Sequence, residues 1–150
     1  MIAYRITHKR YFASAWDGQS TSLNGGRWNS VGTPMVYTSP SLSLALLEIM
    51  VHLHFPRNFD HFAVLQLTLD DSEIMTLPAA SLTGDWIADQ SHTRSIGDAF
   101  IALNAAAGLL VPSGIVGTEQ NLLINPNHSV VLNALPDAKL VDFRLDPRLS

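Results

Sequence analysis

A chain of 150 residues is long enough for one domain with a substantial core and too short for two, so one domain over residues 1–150 is expected. Its 47% hydrophobic and 15% charged residues, with a mean hydropathy of +0.15, describe a globular protein with some apolar surface for a partner to cover. A net charge of −4 argues against broad electrostatic binding to nucleic acid or anionic membrane, and the lack of cysteine excludes a disulfide framework and thiolate chemistry.

Met1 to Phe12 mixes Arg5, Lys9 and Arg10 with polar side chains and holds no apolar block of a secretory signal. The apolar stretches around 42–55 and 99–111 are too short or too interrupted to span a bilayer. A cytoplasmic protein without a membrane segment is the expectation.

In chain order, residues 3–7 read as an opening strand, and 14–33, rich in Gly, Ser, Thr and Asn, as loop and turn. A second strand over 35–38 runs into a helix over 41–54, with Ser39 as cap, Pro40 in the first turn and Pro56 as the stop. Residues 61–69 alternate as a strand, with Ala63, Leu65, Leu67 and Leu69 on one side. The stretch 78–94 is turn-rich and holds Trp86. A second helix is expected over 95–107, closed by Gly108 at positive φ. Strands over 109–111, 121–124, 129–132 and 140–143 follow. Strands and helices mix without regular alternation, which predicts an α+β fold with a mixed, largely antiparallel sheet and flanking helices.

Chemistry-bearing residues fall at a few places. Glu48 stands alone among the Leu, Ile and Val side chains of its helix, on a stripe with Ser41, Ala45 and His52; it is either a solvated surface group on a mostly buried helix or a charge held at a site, where leaving it unpaired is costly. Glu48 and His52 could share a metal, but His54 points to the opposite side, and His8, His61, His92 and His128 are scattered. No metal is therefore expected. The run Gly25-Gly-Arg-Trp-Asn29 presents Arg27 from a glycine-rich loop, as a fork suited to phosphate oxygens; its plainer reading is a turn with Trp28 over the core. Tyr37 ends a strand beside the Glu48 helix, placed to stack on a flat ring or to donate a hydrogen bond; its plainer reading is a sheet tyrosine with its hydroxyl at the surface. Ser113, between Pro112 and Gly114, lacks the surroundings of a hydrolase nucleophile and taken alone reads as a turn residue satisfying backbone groups, and Asn121 opens the strand that follows.

The order Arg27, Glu48, Ser113 resembles the RES domain family, named for those residue types. The supporting runs are G-G-R-W-N-S-V-G from Gly25, V-Y-T-S from Val36, L-A-L-L-E-I-M-V-H-L ending at Leu53, I-G-D-A-F from Ile96, L-V-P-S-G-I from Leu110, N-L-L-I-N-P from Asn121 and D-P-R-L near the end. The resemblance implies an ADP-ribosyltransferase-like fold and the toxin of a type II toxin–antitoxin pair that depletes NAD by hydrolysis or phosphorolysis. Its alternatives are a mono-ADP-ribosyltransferase or a non-catalytic antitoxin-binding module. On that reading Glu48, Arg27, Tyr37 and Ser113 are catalytic, and Trp28 and Asn121 join them in holding NAD as substrate. The implied partner is an Xre-type helix-turn-helix antitoxin in a hetero-oligomer that admits toxin dimers, with DNA met only through the antitoxin.

Overall fold

Strand β1 (Ile2–His8) pairs antiparallel with β3 (Phe62–Thr68), in register from Ile2 opposite Thr68 to His8 opposite Phe62. The computed structural model in which this pairing is seen describes residues 1–54 and 58–149. A short helix α1 (Gln19–Asn24) precedes β2 (Val36–Thr38), which leads into α2 (Leu42–Met50). After β3 come β4 (Ile74–Thr76), α3 (Gln90–Leu103), β5 (Gly108–Pro112), β6 (Gln120–Ile124), α4 (Ser129–Ala134) and β7 (Lys139–Val141).

The strands form a three-stranded sheet, β1-β3-β7, and a four-stranded sheet, β2-β6-β5-β4. Among the described residues, every strand pairing is antiparallel except β4 with β5. A bridge between Tyr4 and Ser39 ties the two sheets, with N–H to O distances of 2.8 and 3.0 Å. The architecture is α+β with mostly antiparallel sheets, as expected.

Strand β6 lies between two apolar clusters. Leu122 and Ile124 pack with Ala3, Val36, Leu67 and Val131, while Leu123 packs on the other face with Trp28, Met35, Phe100, Leu109 and Val111. Burial on both faces explains why this strand reads as a continuous apolar run and not as an alternating one. Among the described residues, no helix is long and apolar enough to cross a membrane.

Several local expectations need correction. Residues 19–24 form a helical turn and a half within the predicted loop. The cap of α2 is Ser41, whose hydroxyl accepts from Leu44 N–H at 3.2 Å, because the Ser39 backbone is already held by Tyr4. The α-helical bonding of α2 ends at Met50 and tightens into His52 N–H to Ile49 O at 3.0 Å; Pro56, the predicted stop, lies outside the described residues. Helix α3 starts at Gln90, capped by Asp89, and stops at Asn104, whose φ of 50° supplies the left-handed turn expected of Gly108. Gly108 instead opens β5, where an added Cβ would stand 2.9 Å from the Leu122 side chain. The predicted strand at 129–132 is helix α4, nucleated when His128 Nδ1 accepts from Val130 N–H at 3.3 Å.

Candidate active site

The loop that carries Arg27 is built from its buried asparagine outward. Asn29 is fully buried, and its Nδ2 donates to the carbonyls of Thr21 at 2.8 Å and Thr33 at 2.9 Å. Its Oδ1 accepts the Tyr37 hydroxyl at 2.7 Å, and that hydroxyl in turn accepts Trp28 N–H at 2.9 Å. Gly26 packs so closely that a Cβ there would lie 2.6 Å from the Tyr37 oxygen, which explains the glycine beside Arg27. Helix α3 closes the loop from behind. Thr93 Oγ1 donates to Arg27 O, Arg94 Nε donates to Gly26 O at 2.7 Å, and Asp98 accepts Ser30 N–H at 2.9 Å.

Burial pushes the Tyr37 phenol up to about 12. The folded state thus holds this proton more tightly than an unfolded chain, whose tyrosine titrates near 10. Its contribution to stability is complete below pH 10 and is lost as pH rises through 12. Tyr37→Phe should flatten that part of the alkaline unfolding curve, and at neutral pH should cost about 1–3 kcal/mol in urea unfolding by leaving Asn29 Oδ1 and Trp28 N–H without their partner.

Glu48 sits in the last turn of α2, partly buried, facing β5 and β6. Its Oε1 accepts the Ser113 hydroxyl at 2.7 Å and also the Asn121 Nδ2 amide. Both donors are themselves fixed. Ser113 Oγ accepts Ile115 N–H and Val116 N–H, each at 3.0 Å, and Asn121 Oδ1 accepts the Ser39 hydroxyl at 2.7 Å. The carboxylate is therefore held by one oxygen, and Oε2 takes no hydrogen bond from the described residues.

Arg27, Tyr37, Glu48 and Asn121 line one cleft of about 450 Å³, with Val51 and Ile115 at its apolar wall. Arg27 Nη1 donates to the Ile87 carbonyl at 2.6 Å, and its guanidinium lies 5.7 Å from the Trp86 ring centre. Among the described residues, no carboxylate lies within ion-pair distance of Arg27. A smaller adjoining cavity of about 220 Å³ shares Tyr37, Glu48, His52 and Asn121 and adds Arg5.

The structure brings Arg27, Tyr37, Glu48, Ser113 and Asn121 together. Trp28 borders the cleft, but the residue is only 3% exposed and belongs to the core, the plainer of its two sequence readings. Tyr37 offers only its ring, because its hydroxyl is occupied by Asn29 and Trp28. Ser113 is 1% exposed and stands behind Glu48, so it positions the carboxylate. His52 lines the cleft; among the described residues, no group of three or more His, Cys, Asp or Glu side chains comes together to hold a metal.

Sequence reasoning missed Arg5 and Ser39. Arg5 looks like an ordinary strand residue, yet its Nη1 donates to Tyr37 O at 3.0 Å and its buried Nε finds no partner among the described residues. Burial lowers its pKa to about 10, which leaves it charged at neutral pH. Nothing local signals this. Ser39 could have been suspected, since Ser41 competes with it for the cap.

The RES domain matches residues 2–146. A protein named Toxin Res from Yersinia enterocolitica serotype O:8 / biotype 1B is 38% identical over 152 residues, spanning all of both chains. A second Toxin Res, from Photorhabdus laumondii subsp. laumondii, is 37% identical over 99% of this chain and 97% of its own. A protein from Sphingobium sp. named Prs ADP-ribosylating toxin is 36% identical over 94% of this chain and 90% of its own. A chain in the crystal structure of the M. tuberculosis MbcT–MbcA toxin–antitoxin complex shares the fold, with a TM-score of 0.67 and 22% identity over 99% of this chain and 85% of that one. With the match running nearly end to end, this chain belongs to the RES domain family.

Proposed function

We propose that this protein is the toxin of a toxin–antitoxin pair and that it breaks the bond between nicotinamide and ribose in NAD. The observation that carries the reading is Glu48, with one oxygen fixed by Ser113 and Asn121, in the same cleft as Arg27; among the described residues its other oxygen takes no hydrogen bond and Arg27 has no carboxylate partner.

The chemistry suits these groups. The nicotinamide of NAD is already a pyridinium, so the electron pair of the breaking bond passes to its nitrogen and neutral nicotinamide leaves without a general acid. Positive charge then develops on the ribose, as in glycosyl transfer generally. Glu48 Oε2 accepts a hydrogen bond from a ribose hydroxyl and stabilises that charge. An acceptor oxygen, from water or phosphate, bonds to the anomeric carbon and releases its proton to solvent. Arg27 holds the diphosphate, the Tyr37 ring packs at the nicotinamide–ribose end, and Arg5 adds a second cation from the adjoining cavity.

Arg27→Ala should raise KM for NAD roughly ten- to hundredfold, with a smaller loss of kcat through poorer alignment. Arg27→Lys should recover only part of this, since an ammonium does not reproduce a planar fork. Steady-state kinetics on both variants check the pair; a kcat defect with unchanged KM would remove Arg27 from diphosphate binding.

A second reading, transfer of ADP-ribose to a protein, is favoured by the name of the Sphingobium relative. The same site serves it, because only the acceptor differs. Purified protein incubated with NAD, with and without phosphate, separates the two: free ADP-ribose or its phosphorylated form marks attack by water or phosphate, and label retained on protein marks transfer. Stable binding to an antitoxin without NAD consumption would instead leave only an interaction module. The antitoxin, of the Xre helix-turn-helix type, covers the cleft in a hetero-oligomer and carries any DNA contact. The exposed Val51 and Ile115 at the cleft wall are suited to that burial.

A further inference from the structure

The segment before α3 contributes two contacts to the Arg27 side chain, one from the Trp86 ring and one from the Ile87 carbonyl. Trp86 is itself anchored. Its ring centre lies 5.8 Å from that of the buried Trp28, at an interplanar angle of 35°, and it packs against the cluster of Met35, Phe100 and Leu123. We propose that Trp86 is a positioning residue for substrate binding: its ring fixes the Arg27 guanidinium so that one edge faces the cleft, while the Ile87 carbonyl is a neutral partner that an incoming anion replaces. This rests on the reading of Arg27 as the diphosphate-binding residue.

Two features favour this role over simple packing. Arg27 has no carboxylate to orient it among the described residues, so without the ring its long side chain would sample several rotamers. A carbonyl partner also costs little to give up, because phosphate oxygens form stronger, charge-assisted bonds with the same N–H groups. The ring contact remains when the carbonyl contact is exchanged, since cation–π attraction does not use the guanidinium edge.

The test is a double-mutant cycle between Trp86 and Arg27. Trp86→Ala should raise KM for NAD about fivefold with kcat nearly unchanged, and Trp86→Phe should restore most of the difference because a ring is kept. In an Arg27→Ala background the same Trp86→Ala change should leave KM where it is. A KM increase of equal size in both backgrounds, or none in either, overturns the proposal. The same cycle read by urea unfolding without NAD keeps it testable if the parent protein proves not to consume NAD: that result removes the NAD reading, while additive unfolding midpoints would separately show that Trp86 does not hold Arg27.

Discussion

Glu48→Gln should reduce NAD turnover about a thousandfold, the ~3–4 kcal/mol commonly lost with one preorganised electrostatic contact, while the folded protein keeps or slightly raises its thermal midpoint. The glutamine carbonyl can take the place of Oε1 and still accept from Ser113 and Asn121. Its NH2 then occupies the place of Oε2, putting a donor where the reaction needs an acceptor and removing the negative charge. Stability moves the other way. Glu48 lies in the last turn of α2, where a carboxylate opposes the helix dipole at a cost of about 0.3–1 kcal/mol. A charge kept where the helix disfavours it, and held there by two fixed donors, fits retention for chemistry and not for folding. Product analysis with NAD and a thermal melt on the same preparation check both halves. Undiminished turnover would end the proposed mechanism, and a matching collapse of the melting midpoint would reassign Glu48 to structure.

Gly97→Ala should be among the most damaging substitutions on the chain although it adds a single methyl group. In an exposed helix interior the change gains about 1 kcal/mol. In α3 a Cβ at this position would lie 1.7 Å from the Trp28 carbonyl oxygen and 2.8 Å from its carbon. Both are backbone atoms that cannot rotate away. The helix must therefore withdraw from the Arg27 loop, releasing the bonds of Thr93, Arg94 and Asp98 together. A loss above ~4 kcal/mol is expected, in the range reserved for named structural failures. Gly84→Ala is the control: nothing lies within 4 Å of the added carbon, so its urea midpoint should stay within about 0.5 kcal/mol of the parent. Near-parental stability of Gly97→Ala would mean that α3 does not seat on this loop as described.

These contrasts show what the sequence could convey. Strands β1 and β3 were legible because their residues follow a pleated pattern over several positions. Residues 129–132, Ser-Val-Val-Leu, carry strong β preference and still form a helix, because His128 caps them and Val131 must reach the core. The cap is local, but the demand that Val131 reach the core comes from tertiary packing and has no local signature. Strand β4 was missed for a related reason. It is three residues long and pairs parallel to β5, so it lacks both the length and the hairpin turn that announce a strand.

The candidate site divides in the same way. Glu48 was conspicuous as a carboxylate in an apolar helix, and Arg27 as a cation on a glycine-rich loop. Their companions were not, since Ser113 and Asn121 lie 65 and 73 residues from Glu48. Only the ordered resemblance joined them. Arg5 escaped because its significance depends on burial beside Tyr37, 32 residues away, and burial of a single strand residue is a property of the assembled sheets.

The carboxylate's supports arrive late in synthesis. Helix α2, with Glu48, leaves the ribosome well before Ser113, and Asn121 follows last, carried on the strand that separates the two halves of the core. A nascent chain interrupted before β6 has a glutamate without its two donors and an apolar interior open on one side. A product that ends before Asn121 lacks one of the two donors that fix this carboxylate, and it should not form the cleft as described.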